Sequence, residues 1–161
     1  MTELDRIDRR ILSLMQNNAR ISFREIADDV DLAPSTCSQR IKRLRQEGIL
    51  LDEHATVDPE ALGIGLQALV GVRLSHHSRT SVDAFHRHAL SLDEVRTVFH
   101  ITGRQDFVLL VAVRDIDHLR DLTMDHLTTR EEVAHIETSL VYVYDHKPVL
   151  PDLLQDDDET E

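Results

Sequence analysis

The chain has 161 residues, of which 41% are hydrophobic and 30% charged, with one cysteine and a formal net charge of -12. This is material for one medium or two small soluble domains, and a single cysteine excludes an intrachain disulfide. No apolar run reaches the length of a membrane span, and Met1-Thr2-Glu3-Leu4-Asp5 lacks the basic start and apolar stretch of a secretion signal, so the reduced cytoplasm is the expected compartment.

The acidity is uneven. Residues 1–50 hold 9 basic and 8 acidic side chains, whereas the remainder holds 9 and 22. A polyanion senses the local field over about 10 Å at moderate salt, so the average charge does not exclude nucleic acid as a partner of the first third.

Leu4, Ile7, Ile11, Leu14 and Met15 recur at threes and fours and predict an amphipathic helix over 4–17. Ser22 and Glu25 have the spacing of a capping box, opening a short second helix with Ile26, Ala27 and Val30 on its inner face. Asp31-Leu32-Ala33 is a tight link to a third helix that begins at Pro34 and stops near Gly48. On this helix Cys37, Ile41 and Leu44 form the apolar face, and Cys37 reads as a small buried hydrophobe. Ser35, Thr36, Ser38, Gln39, Arg40, Lys42, Arg43 and Arg45 make the rest polar and basic. A basic face is often only a solvated surface. Here the short helix, tight turn and basic helix together form the helix-turn-helix pattern, whose last helix enters the major groove of double-stranded DNA. Gln39 or Arg40 is expected to read bases, and Lys42, Arg43 or Arg45 to meet phosphate.

Ile49-Leu50-Leu51 and Ala55-Thr56-Val57 read as a two-stranded wing around Asp52-Glu53-His54, whose acids would add little affinity beside phosphates. Asp58-Pro59-Glu60 and Gly63-Ile64-Gly65 mark a linker. Strands are then expected at 67–74, 95–101, 107–113 and 133–144, with helices at 78–90 and 115–127. The order βαββαβ is that of a ferredoxin-like unit. The continuous apolar run Phe107–Val113 implies burial on both faces, hence a second copy of the sheet packed against the first in a dimer. The fold class is therefore α+β: a winged helix-turn-helix domain over 1–50, a wing and linker over 51–65, a ferredoxin-like domain over 66–150, and an acidic, disordered tail over 151–161.

Several stretches, in this order and at these spacings, resemble the Lrp/AsnC family of prokaryotic transcription regulators over about residues 3–150. They are Leu4-Asp5-Arg6-Ile7-Asp8-Arg9-Arg10-Ile11-Leu12, Asn18-Ala19-Arg20-Ile21-Ser22-Phe23-Arg24-Glu25-Ile26-Ala27, Leu32-Ala33-Pro34-Ser35-Thr36 through Leu44, Glu47-Gly48-Ile49-Leu50, and Thr102-Gly103 with Asp106. The resemblance implies a DNA-binding domain joined to a sensor domain that dimerises and often assembles into octamers, with amino acids or related small molecules bound between sensor domains. The site it implies comprises Thr102, Gly103, Gln105 and Asp106, with Thr138 and Ser139 on the last strand. An amino-acid ligand needs an acceptor for its ammonium and donors for its carboxylate; Asp106 and backbone N–H groups around Gly103 have that chemistry. The bland alternative is a hairpin turn in which Asp106 bonds the turn's own backbone. Ala33 stands where the family usually has a capping serine, and Gln105 where an aromatic is common.

No cofactor is expected. Ten histidines suggest a metal, but His76-His77 and His86-x-His88 lack a ligating geometry on one helix face and have no cysteine companion, so none is expected either. The chain also lacks a nucleophile with a base, a phosphate-cradling glycine loop and paired carboxylates, so it is not expected to be an enzyme. The competing reading is a DNA-organising protein with little sequence choice and no effector.

Overall fold

The computed structural model describes residues 3–154. The chain divides into two compact units, one of residues 1–55 with 145–161 and the other of 56–144.

The first unit is built on three helices, α1 (Arg6–Asn17), α2 (Phe23–Asp29) and α3 (Pro34–Gln46). Ile11, Met15, Ile26, Ala27, Cys37, Ile41 and Leu44 are its buried core, the apolar stripes that the periodicity marks. Asp5 caps α1 by accepting the Asp8 N–H at 2.8 Å, and Ser22 caps α2 reciprocally with Glu25. Both caps hold Asp5 and Glu25 below the ordinary carboxylate range. For Asp5, burial pulls the other way and is outweighed by the Asp8 N–H and the Arg40 guanidinium; for Glu25 the Ser22 hydroxyl and N–H are the cause. The turn between α2 and α3 puts Asp31 in the left-handed region at φ 53°, where Asp is better tolerated than most side chains. Helix α3 starts at Ala33 with no side-chain cap and ends at Gly48, φ 69°.

The expected wing strands do not form: residues 51–58 run without ladder pairing and are all exposed, so the wing is represented here by unpaired chain. In this stretch Glu53 accepts from Arg45 of α3 at 3.0 Å. The expected linker contains a 3-10 turn, Glu60–Leu62, closed by Gly63 at φ 77°. Of the expected acidic tail, 151–154 are described and Asp152 pairs with Arg9 at 2.6 Å; the remainder lies outside the described residues.

The second unit is a four-stranded antiparallel sheet in the order β2-β3-β1-β4, with β1 Leu66–Leu74, β2 Val95–His100, β3 Phe107–Val113 and β4 Val133–Leu140. Helix α4 (Arg79–Leu90) follows β1; α5 (Ile116–Asp121) follows β3 and continues as a π-helical turn, Leu122–Leu127. The Thr128 N–H reaches back five residues to Thr123 O at 2.9 Å, and the Thr123 hydroxyl takes the Leu119 carbonyl at 2.8 Å; such back-bonding favours a local widening. Ala68, Val70, Val72 and Leu74 of β1 and Phe107, Leu109, Val111 and Val113 of β3 form one buried face with Phe85, Ala89, Leu119, Leu122 and Leu127 from the helical segments. Strand β4 stops at Leu140 rather than Tyr144. One more bond, Val141 N–H to Gln67 O at 3.0 Å, brings it to the first residues of β1, beyond which no partner strand exists.

Candidate functional site

Two places carry the residues singled out from the sequence. The first is the outward side of α3. Opposite Cys37, Ile41 and Leu44, residues Ser35, Gln39, Lys42 and Gln46 fall at i, i+4, i+7 and i+11 and are all exposed. This is one polar stripe with a hydroxyl, two amides and an ammonium, groups suited to base edges and phosphate. Gln46 was not expected there, although the spacing from Gln39 already gave it.

The arginines behave differently. Arg40 donates to Asp5 at 2.6 Å and to Asp8 at 2.9 Å, and Arg43 donates to the other oxygen of Asp8. Asp8 is 1% exposed, the one buried charged side chain among the described residues. Its carboxylate thus braces α1 against α3 through two guanidiniums. Bonding to Asp5 and then Asp8 holds the Arg40 guanidinium above its ordinary range. Arg40, expected at base edges, is turned inward, as is Arg43, because a buried carboxylate cannot be left unpaired. Arg45 pairs with the exposed Glu53, a surface contact that a phosphate can replace at little cost. Thr36 is exposed and Ser38 half-buried on the flanks of the stripe.

The second place is the turn joining β2 to β3. Gly103 takes φ 123°, a conformation that favours glycine. The Asp106 N–H bonds Val72 O at 2.9 Å, and its carbonyl accepts the Ile101 N–H. Its carboxylate accepts the Leu74 N–H at 2.7 Å on one oxygen and meets His77 Nε2 at 2.8 Å on the other. Asp106 therefore does not bond the turn's own backbone with its side chain; it ties the turn to the end of β1. Gln105 lies across Gly71, the strand position without a side chain, and donates to Glu137 at 3.1 Å. A Cβ at Gly71 would stand 2.1 Å from the Gln105 amide nitrogen, so glycine there makes room for Gln105.

Thr102 is exposed in the same turn. Thr138 and Ser139 are exposed on β4 opposite Val70 and Leu69, on alternate faces of the sheet, so the strand does not present both to one point. Among the described residues neither hydroxyl bonds Asp106 or Gly103. His77 was not anticipated; a polar residue in the loop after β1 leaves no sequence signal of its partner.

Comparison with known proteins follows this division. Residues 4–50 match a winged helix-turn-helix DNA-binding family, and residues 67–144 match the Lrp/AsnC ligand-binding domain. The chain is 38% identical over 140 residues to the HTH-type transcriptional regulator AldR of Mycolicibacterium smegmatis, covering 87% of this chain and 82% of that protein. It is 35% identical over 113 residues to the DNA-binding transcriptional activator DecR of Escherichia coli, covering 70% and 74%. A solved structure of the transcriptional regulator NMB0573 of Neisseria meningitidis, in complex with L-Met, superposes with a TM-score of 0.84 at 29% identity, covering 92% of this chain and 97% of that one. With a helix-turn-helix unit and a ligand-binding unit in that order, the chain belongs to the Lrp/AsnC family of DNA-binding transcriptional regulators.

Proposed function

We propose that the chain is a non-catalytic, cytoplasmic regulator that binds double-stranded DNA through the α3 stripe as a two-fold oligomer and answers to an amino acid at the Asp106 turn. The observation that carries the effector half is the Asp106 carboxylate, 15% exposed and fixed in place by a strand N–H beside a positive-φ glycine. A preorganised acceptor next to close-approaching backbone is what an α-ammonium and α-carboxylate require. The L-Met bound by the Neisseria protein supports an amino acid as the class of ligand. Gln39 and Lys42 are assigned to DNA contact with Ser35, Thr36 and Ser38 around them, Arg45 to phosphate, and Arg40 and Arg43 to bracing the helix. Thr102, Gly103, Gln105 and Asp106 form the effector turn, with Thr138 and Ser139 as outer partners.

The test is calorimetry with the full set of amino acids on wild type and Asp106→Ala. Heat from wild type that Asp106→Ala abolishes is expected. Equal heats would sink the Asp106 assignment, and none from either protein would favour a DNA organiser without an effector.

A further inference from the structure

Resting on that effector reading, we infer that His77 is an internal competitor for the effector's ammonium group. Its imidazole stands 2.8 Å from the Asp106 oxygen that the strand does not engage. The other oxygen accepts the Leu74 N–H at 2.7 Å, and Leu74 is 2% exposed at the end of β1, so that bond is held by the buried sheet. The His77 contact, at 2.8 Å, is made by a side chain 66% exposed in the loop 75–78 between β1 and α4. One contact is a hydrogen bond anchored in the sheet, and the other is the close approach of an exposed ring that can swing away. The carboxylate keeps only 15% of its surface open with His77 in place, so an ammonium that takes the Oδ1 side has to share or replace the imidazole. Ligand entry therefore exchanges one cation-like donor for another.

This exchange carries a consequence for pH. A neutral imidazole donates one hydrogen bond, whereas its protonated form adds a full charge beside the carboxylate, so acid strengthens the competitor while the ligand's ammonium stays charged. Charged and titratable groups on neighbouring segments include Arg73 at the end of β1, His76 in the same loop, Arg79 at the start of α4, Arg104 in the turn, and Glu132 with Arg130 ahead of β4. Arg130 holds the Glu132 side chain at 2.7 Å, and Ser75 donates its N–H to the Glu132 carbonyl at 2.8 Å, so this acid is already engaged. Asp106 is the carboxylate that meets His77.

The experiment is calorimetry on the full-length chain with amino acids taken one at a time, L-methionine first, at about pH 7.5 and about pH 5.5. His77→Ala is expected to bind about two- to fivefold tighter at the higher pH, the span of a weak polar contact made by a neutral, exposed ring. It is also expected to lose the weakening that wild type shows at the lower pH. His77→Gln keeps a donor that does not titrate, so it should match wild type at the higher pH and stay flat below. Unchanged or weaker binding by His77→Ala, with wild-type heat still abolished by Asp106→Ala, overturns the competition and leaves the effector site standing. No heat from any amino acid with any of the proteins overturns both.

Discussion

One carboxylate, Asp8, satisfies two guanidiniums while 1% exposed, and those guanidiniums are 25% and 41% exposed on Arg40 and Arg43. Replacing it leaves two neighbouring cations of α3 facing α1 without their shared carboxylate. Asp8→Ala is therefore expected to cost about 3 kcal/mol, the lower end for breaking a buried pair because its partners keep some water. Chemical denaturation monitored by helical circular dichroism checks this; a loss below about 1 kcal/mol would mean the brace is incidental. Asp5 adds a pH dependence. Its folded carboxyl ionises more readily than the unfolded one, so its contribution is complete above the ordinary carboxylate range of about 4 and fades as pH falls through the lowered folded value. Asp5→Asn should flatten that part of the acid limb in a pH series of denaturation midpoints and leave neutral-pH behaviour of the second unit unchanged.

At the scale of elements, α3 is the helix with the most to gain. Ala33 has the extended backbone of an N-cap, φ -64° and ψ 140°, and no side chain to cap with. Ala33→Ser should raise stability by about 0.5–2 kcal/mol, read as a higher midpoint in thermal unfolding; no gain would show that the first-turn N–H groups are satisfied otherwise. In the sheet, Gly71→Ala pushes against the mobile end of Gln105 rather than backbone, so the fold should survive while the Gln105–Glu137 bond is lost. Thermal unfolding within a few degrees of wild type is the expected outcome, and a collapse would show that Gln105 cannot move. The helices and strands were legible because they carry local signals, a period or a cap: Ser22 with Glu25, Ser78 before α4, alternation along β1. The wing was not, since Ile49-Leu50-Leu51 and Ala55-Thr56-Val57 have the composition of strands yet run unpaired. Nor was the partnership of Asp8 with Arg40 and Arg43, or of His77 with Asp106, because each joins residues some 30 positions apart that carry no shared pattern.

For the whole molecule, the sheet of the second unit has helices on one face only. The other face carries Leu69 and Phe99, 39% and 48% exposed, around Leu110 and Ala112 of β3. A second copy laid on that face would bury this apolar surface in a two-fold dimer, the symmetry that operators with two half-sites match. Light scattering at micromolar concentration should give a dimer or a multiple of one, and Leu69→Asp should shift it toward monomer; a monomeric wild type would reject the packing.

The brace at Asp8 also changes how genetic results on such a regulator are to be interpreted. A screen for variants that no longer control their promoter would recover Arg40 and Arg43 alongside Gln39 and Lys42, and all four would map to one helix. On the proposed assignment, the first pair would fail because α3 loses its brace against α1, the second because the helix loses its contacts to DNA. Second-site suppressors separate them: a change in the operator can rescue Gln39 variants, whereas Arg40 variants are rescued from within α1.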